Sequence, residues 1–189
     1  MDAFSYLSVL LSIILGLAIQ QVLQGYRALI LSRRRVKLYA PPLIWSALLL
    51  AMVTQHWWSS FGLAGRADDQ WSFALFATIL VMTALIYMMA AIVLPDIAPD
   101  QIIDLRDHYY REARAFFGIG AATICWSVFR EYMLNDALPA PMNLAFHGIF
   151  LTAATTAAIT RRPRIHEALS WTMVALFVAY VALLFQRLA

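Results

Sequence analysis

The stretch SFALFATILVMTALIYMMAAIVL, residues 72–94, contains no charged side chain. A transmembrane helix needs about 20 mainly apolar residues to cross the hydrocarbon core of a bilayer. Polar residues do not recur at every second position, as they would in a barrel strand. The run is also too continuous for an amphipathic helix of a soluble protein. We therefore predict a membrane-spanning helix here.

Five further stretches of similar length and character flank this one. Together they predict six spans, at residues 4–26, 43–63, 72–94, 116–134, 142–159 and 168–185. The expected fold is an all-α integral membrane protein, a single domain over residues 1–189 that forms a compact six-helix bundle.

The composition excludes several protein classes. Of 189 residues, 62% are hydrophobic and 13% charged, against about 45–50% and about 25% in soluble domains. The mean hydropathy is +0.71. The single cysteine, Cys125, excludes an internal disulfide and CxxC metal sites. The sequence has no phosphate-binding glycine loop, no HExxH motif and no basic patch with interleaved aromatics, so pumps, zinc proteases and nucleic-acid binding have no support.

The positions of lysine and arginine predict the orientation in the membrane. Eleven of the fourteen basic residues lie in or beside the first, third and fifth connections. They are Arg27, Arg33, Arg34, Arg35, Lys37, Arg106, Arg111, Arg114, Arg161, Arg162 and Arg164. Because positive connections stay in the cytoplasm, we expect both termini to be extracytoplasmic. Asp2 and the long apolar run that follows indicate an uncleaved span rather than a signal peptide.

Small and polar residues form a stripe along the first span. The first-span stripe consists of Ser5, Ser8, Ser12, Gly16, Gln20 and Gln24. Steps of three and four residues keep them on one slowly drifting face of a helix. The stripe is typical of close helix packing through small residues and glutamine hydrogen bonds, and a hydrated path is the alternative. In either case we expect this helix to be internal or to face another subunit.

A second polar group is expected in the outer half of the membrane. The outer-half cluster consists of His56, Arg130, Glu131, Asn143 and His147, on three predicted spans. Polar groups inside lipid are costly and prompt a functional question. Three interpretations stay open: a structural polar network, a binding site or gate for an ion, proton or small solute, and a haem with His56 and His147 as axial ligands.

The longest polar connection precedes the fourth span. Ile102, Tyr109, Ala113 and Phe116 share one helical face, which predicts a short amphipathic helix that lies on the cytoplasmic interface and runs into the fourth span. A carboxylate and a histidine four residues apart, Asp104 and His108, can bind a metal ion. A solvated helix surface is the interpretation we favour, because charged runs of this kind usually support a helix.

The sequence carries a weak functional prediction. We expect a channel- or transporter-like protein that moves an ion, proton or small solute through a polar path in the bundle or in a homo-oligomer. The alternatives are a non-catalytic accessory subunit that binds a partner membrane protein, and a haem-carrying redox protein. No catalytic residue and no metal site are predicted, and no cofactor apart from that haem. In its size and span number the chain resembles small polytopic membrane proteins of bacteria, which implies the inner membrane.

Overall fold

The computed structural model describes residues 3–65, 71–96 and 102–184. Within them the chain forms six α-helices, which confirms the all-α prediction. They are α1 Ala3–Leu31, α2 Ala40–Ser60, α3 Phe73–Ile92, α4 Leu105–Asn135, α5 Pro141–Ile159 and α6 Pro163–Leu184. A single 3₁₀ turn, Phe61–Leu63, extends α2, and two short strands, β1 Val36–Lys37 and β2 Ile103–Asp104, lie in the connections. The end of the predicted sixth span, residue 185, lies outside the described residues.

Local sequence signals set most helix boundaries. Ser72 caps α3, since its hydroxyl oxygen accepts a hydrogen bond from the Leu75 amide at 3.2 Å. Asp104 caps α4 by accepting from the amides of Arg106 and Asp107. α2 and α5 carry proline within their first turn, where the missing N–H has no helical partner to lose. The predicted third and fifth spans consequently match the observed helices within two residues at each end.

Four helices are long and apolar enough to cross a bilayer: α1, α3, α5 and α6. Large apolar side chains also cover the outside of the bundle, among them Val9, Ile13, Leu23, Val178 and Leu183. A surface of this kind is stable against lipid and not against water. The structure therefore supports a membrane protein with transmembrane helices.

The segment before the fourth predicted span is helical and runs into that span, as predicted: residues 105–115 form the first turns of the 31-residue α4. Its surroundings differ from the prediction, because its apolar face packs inside the bundle and not on the membrane interface. Residues 105–117 contain neither glycine nor proline, so the helix continues without a break. Tyr109, Ala113 and Phe116 are buried against other helices rather than in lipid, whereas Ile102 is exposed. Protein packing, which the sequence pattern cannot distinguish from lipid contact, accounts for this apolar face.

Helices α2 to α6 enclose the centre of the bundle. Each packs on its neighbours in the order α2, α3, α4, α5, α6 and back to α2, while α1 packs on the outside against α3 and α2. The α1–α3 contact is close at Gly25, where an added Cβ would lie 2.7 Å from Leu94 Cδ1. The first helix is thus peripheral within the single chain.

The three basic connections meet at one end of the molecule, called the basic end below. β1 pairs in parallel with β2, and the Ile103 amide donates to the Arg35 carbonyl at 2.9 Å. Lys37 Nζ lies 3.5 Å from Asp104 Oδ2. The hydroxyl of Tyr109, near the start of α4, contacts His166, near the start of α6. These contacts hold the α1–α2, α3–α4 and α5–α6 connections together.

Candidate functional site: a cavity between five helices

A cavity of about 150 Å³ lies between α2, α3, α4, α5 and α6. Its lining residues fall in the middle of the helices, for example 82–89 of α3, 147–154 of α5 and 173–180 of α6. α1 contributes none of the described lining residues. An apolar cavity of about this volume accommodates a benzene-sized molecule.

The walls of this central cavity are mainly apolar. Four methionines and four phenylalanines are among the lining residues: Met52, Met82, Met89, Met173, Phe116, Phe117, Phe150 and Phe177. Methionine is flexible and polarisable and adapts to ligands of irregular shape. A wall of this composition favours an apolar solute over a bare ion, because an ion would lose its hydration without replacement.

His56 brings a polar group to the α2 wall. Its side chain is 3% exposed, and Nε2 lies 3.2 Å from the Thr83 hydroxyl of α3. Thr83 donates its only hydroxyl proton to the Ile79 carbonyl at 3.0 Å, so it accepts a hydrogen bond from His56 Nε2–H. The Nδ1 atom of His56 then carries a lone pair, to which no described residue donates.

His147 occupies the α5 wall of the same cavity. Its Nδ1–H donates to the Asn143 carbonyl at 2.8 Å, and its Nε2 accepts from the Ser127 hydroxyl at 3.1 Å. Ser127 also lines the cavity. The structure therefore brings His56, His147 and Ser127 to one cavity, with Asn143 holding His147 through its backbone. The side-chain Oδ1 of Asn143 is buried and has no hydrogen-bond partner among the described residues.

Arg130 and Glu131 of the outer-half cluster lie beyond the cavity lining. The Arg130 Nε atom is buried and finds no hydrogen-bond partner among the described residues. Glu131 Oε1 accepts from the Asn135 amide nitrogen at 2.8 Å, on the same helix. Adjacent residues of a helix point about 100° apart, which separates these two side chains.

The first-span stripe does not line the cavity. Ser12, Gly16, Gln20 and Gln24 are exposed on the outer side of α1, and Ser5 and Ser8 are partly buried. Ser8 and Ser12 donate to backbone carbonyls one turn earlier, those of Ser5 and Ser8. The buried face of α1 is apolar instead, formed by Leu7, Leu11, Leu15, Ala18, Val22 and Leu29.

An aromatic cluster closes the cavity toward the basic end. Trp45 packs edge-on against Phe116 and Phe117, with ring centroids 5.9 and 5.1 Å apart. Tyr109 packs edge-on against Phe117, with ring centroids 6.2 Å apart. Phe117 is 2% exposed. We call these packed rings, Trp45, Tyr109, Phe116 and Phe117, the aromatic seal.

Sequence reasoning missed the polar centre of the aromatic seal, which is formed by His166 and the Tyr109 hydroxyl. His166 is 0% exposed; its Nε2–H donates to the Thr160 carbonyl at 3.0 Å, and its Nδ1 accepts from the Tyr109 hydroxyl at 2.8 Å. Tyr39 packs edge-on against Tyr109, and burial together with its hydrogen bond to Tyr110 raises the pKa of the Tyr39 hydroxyl. One usable signal was a lone histidine three residues after Pro163, at the basic turn.

The described residues contain no group of three or more histidine, cysteine, aspartate or glutamate side chains placed to hold a metal ion. Asp104 caps α4, and His108 Nε2–H donates to the Ile92 carbonyl at the end of α3, at 3.2 Å. Both ring nitrogens of His147 are hydrogen-bonded, so axial ligation of a haem would break one of these bonds. These residues act as helix caps and packing contacts in this structure.

No family model matches the chain, and comparison with the curated proteins and with the solved structures found no match. The functional interpretation therefore depends on the geometry of the central cavity.

Proposed function

We propose that the protein is a six-span membrane protein that binds a small, mainly apolar solute in the central cavity and carries it across the bilayer. The observation that supports this most is the cavity itself, placed midway along five helices. Substrate sites of secondary transporters lie at this depth, between helices that rearrange around them.

The aromatic seal favours a carrier over an open channel. A channel needs a continuous hydrated path, and packed rings occupy the basic end of the cavity. A site closed on one side is the arrangement that alternating access requires. The conducting path through the first-span stripe has less support, because α1 does not contribute to the cavity.

The orientation follows from charge. The three connections that carry eleven basic residues meet at the basic end, so we assign this end to the cytoplasm of a bacterial inner membrane and both termini to the outside. In this proposal α2 and α4 are the remaining two of the six spans, and they pack against the four more apolar helices.

A binding experiment with a benzene-sized probe tests the solute site. The probe is 4-fluorobenzyl alcohol, and its ¹⁹F NMR signal is measured with the protein in lipid nanodiscs, using empty nanodiscs to correct for partitioning. Ala154 lines the cavity, and Ala84 on α3 is exposed on the bundle surface. We expect saturable binding to the wild type and to Ala84→Leu, and loss of binding in Ala154→Leu. Equal signals from the protein and from empty nanodiscs would contradict the proposal.

A second candidate function, self-assembly, is favoured by the outward position of the first-span stripe. Gln20 and Gln24 are exposed, and an added Cβ at Gly16 would meet no atom within 4 Å. Glutamines that face lipid gain from a hydrogen-bonding partner, and small residues allow helices to approach closely. We propose that α1 of a second copy of this chain packs against the first-span stripe. Oxidative crosslinking of Gly16→Cys, in a Cys125→Ser background, gives a dimer on this proposal; Leu17→Cys, exposed at the same depth but about 100° around α1, is the control.

A further inference from the structure

Arg130 of α4 places a charged side chain within a predicted span. Its Nε is buried without a hydrogen-bond partner among the described residues, and no described carboxylate forms an ion pair with it. A guanidinium cannot lose its charge in a protein. A cation within a span whose buried N–H has no acceptor is costly, so such a group is expected to acquire an anionic partner.

The position of Arg130 links it to the central cavity. Thr123 and Ser127 line the cavity from α4. Arg130 follows Ser127 by three residues and Thr123 by seven, which places all three on one helical face. Arg130 also interacts electrostatically with His56 of α2 and Tyr180 of α6, and both of these residues line the cavity. The guanidinium therefore lies beside the outer end of an apolar chamber.

The neighbouring carboxylate, that of Glu131, is not the hydrogen-bond acceptor for the Arg130 Nε–H. Glu131 contributes a favourable field at Arg130, but its Oε1 atom is hydrogen-bonded to Asn135 one turn further along α4. The buried Nε–H is left to donate elsewhere. A carboxylate or another singly charged oxyanion accepts from an arginine through short, charge-assisted hydrogen bonds.

We infer that the solute of the central cavity is a small organic monoanion, with its apolar body between the methionine and phenylalanine walls and its anionic head on Arg130. This inference rests on the proposed function, since it names the solute class for the same cavity. The Arg130 Nε–H supplies the hydrogen bond, and the apolar walls select for an aromatic or short aliphatic body.

The test compares two probes that share a ring and differ in charge. 4-Fluorobenzoate and 4-fluorobenzyl alcohol are titrated by ¹⁹F NMR against the full-length protein in nanodiscs of zwitterionic lipid. We expect 4-fluorobenzoate to bind the wild type about tenfold more tightly or better, as expected for a charge-assisted hydrogen bond in a desolvated site. Equal or tighter binding of the alcohol overturns the inference and leaves the proposed function standing. If neither probe binds, both fail.

Two variants test whether Arg130 causes the preference for 4-fluorobenzoate. The Arg130→Gln variant should no longer bind 4-fluorobenzoate more tightly than 4-fluorobenzyl alcohol. It should still bind the alcohol, and that binding also shows that the variant is folded. Glu131→Gln is the matched control, since it removes the adjacent charge, and it should keep the preference or increase it. A preference retained in Arg130→Gln contradicts the assignment. If Arg130→Gln does not fold, Arg130→Lys replaces it, and an unchanged preference in that variant likewise contradicts the fork-like hydrogen bonding of arginine.

A lipid headgroup is the other source of an oxyanion near this depth. Repeating the wild-type titration in nanodiscs that contain anionic phosphatidylglycerol separates the two sources. Unchanged 4-fluorobenzoate affinity supports a solute site. Competitive loss of that affinity would assign Arg130 to the lipid phosphate and overturn the inference.

Discussion

Replacing Tyr109 by phenylalanine removes a single hydroxyl from the polar centre of the aromatic seal. His166 Nε2–H is committed to the Thr160 carbonyl, so His166 Nδ1 depends on the Tyr109 hydroxyl for its hydrogen bond. If His166 changed its tautomer, the Thr160 carbonyl would lose its hydrogen bond instead. Tyr109→Phe therefore leaves a buried acceptor unpaired in a side chain that is 0% exposed.

The loss of the Tyr109–His166 hydrogen bond lowers the free energy of unfolding of Tyr109→Phe. An unpaired buried acceptor costs about 1–3 kcal/mol, and the phenylalanine ring keeps the packing of Tyr109 against Phe117. We expect a loss of about 2 kcal/mol, equivalent to a fall in Tm of about 4–8 °C for a chain of this size. Tyr132→Phe, at a half-exposed position on the same helix, is the control and should change Tm little.

The assay is thermal unfolding followed by circular dichroism at 222 nm, on purified protein in detergent. A double-mutant cycle with His166→Phe isolates the pair, because the cost at Thr160 is common to the single and double variants. The double variant should be more stable than the sum of the two losses predicts, by about 1–2 kcal/mol. A Tyr109→Phe protein with wild-type Tm, or a cycle with no coupling, would refute the assigned hydrogen bond.

Three further predictions concern the packing, the caps and the orientation. Gly25→Ala should destabilise the protein by about 1–3 kcal/mol, since its Cβ would lie 2.7 Å from Leu94 Cδ1, whereas Gly16→Ala meets no atom within 4 Å and should not; thermal unfolding of both variants decides. Ser72→Ala should cost about 1 kcal/mol through loss of the α3 cap, and Ser72→Asp, which keeps an acceptor, should retain stability in the same measurement. An epitope tag at the N-terminus should be cleaved by external protease in intact spheroplasts, and protection of that tag would reverse the assigned orientation.

The sequence predicted the helices well because their signals are local. Residues 72–94 and 142–159 are apolar runs that begin at a capping serine or next to a proline, and the structure has α3 and α5 there. Residues 104–114 were harder to predict, because the apolar face that ends in Phe116 has the same period whether it contacts lipid or protein. Only the positions of the other helices show that it packs inside the bundle.

The candidate site was predictable in part. His56 and His147 were singled out as polar groups within spans, and both line the central cavity. The apolar character of that cavity could not be read from the sequence, because its methionines and phenylalanines come from α2, α3, α4, α5 and α6 and look like ordinary membrane residues one by one. The outward position of Gln20 and Gln24 likewise depends on which side of α1 the other helices occupy.

Locating a heavy-atom probe in the protein tests the central claim most directly. A crystal of the protein in lipid is soaked with 4-bromobenzyl alcohol, and bromine is located by anomalous scattering. A solute-binding cavity predicts a bromine peak enclosed by α2 to α6, in contact with residues such as Met89, Phe150 and Phe177, and no such peak in Ala154→Leu. Bromine found only on the outer, lipid-facing side of the helices, with the cavity empty in the wild type, would contradict the account.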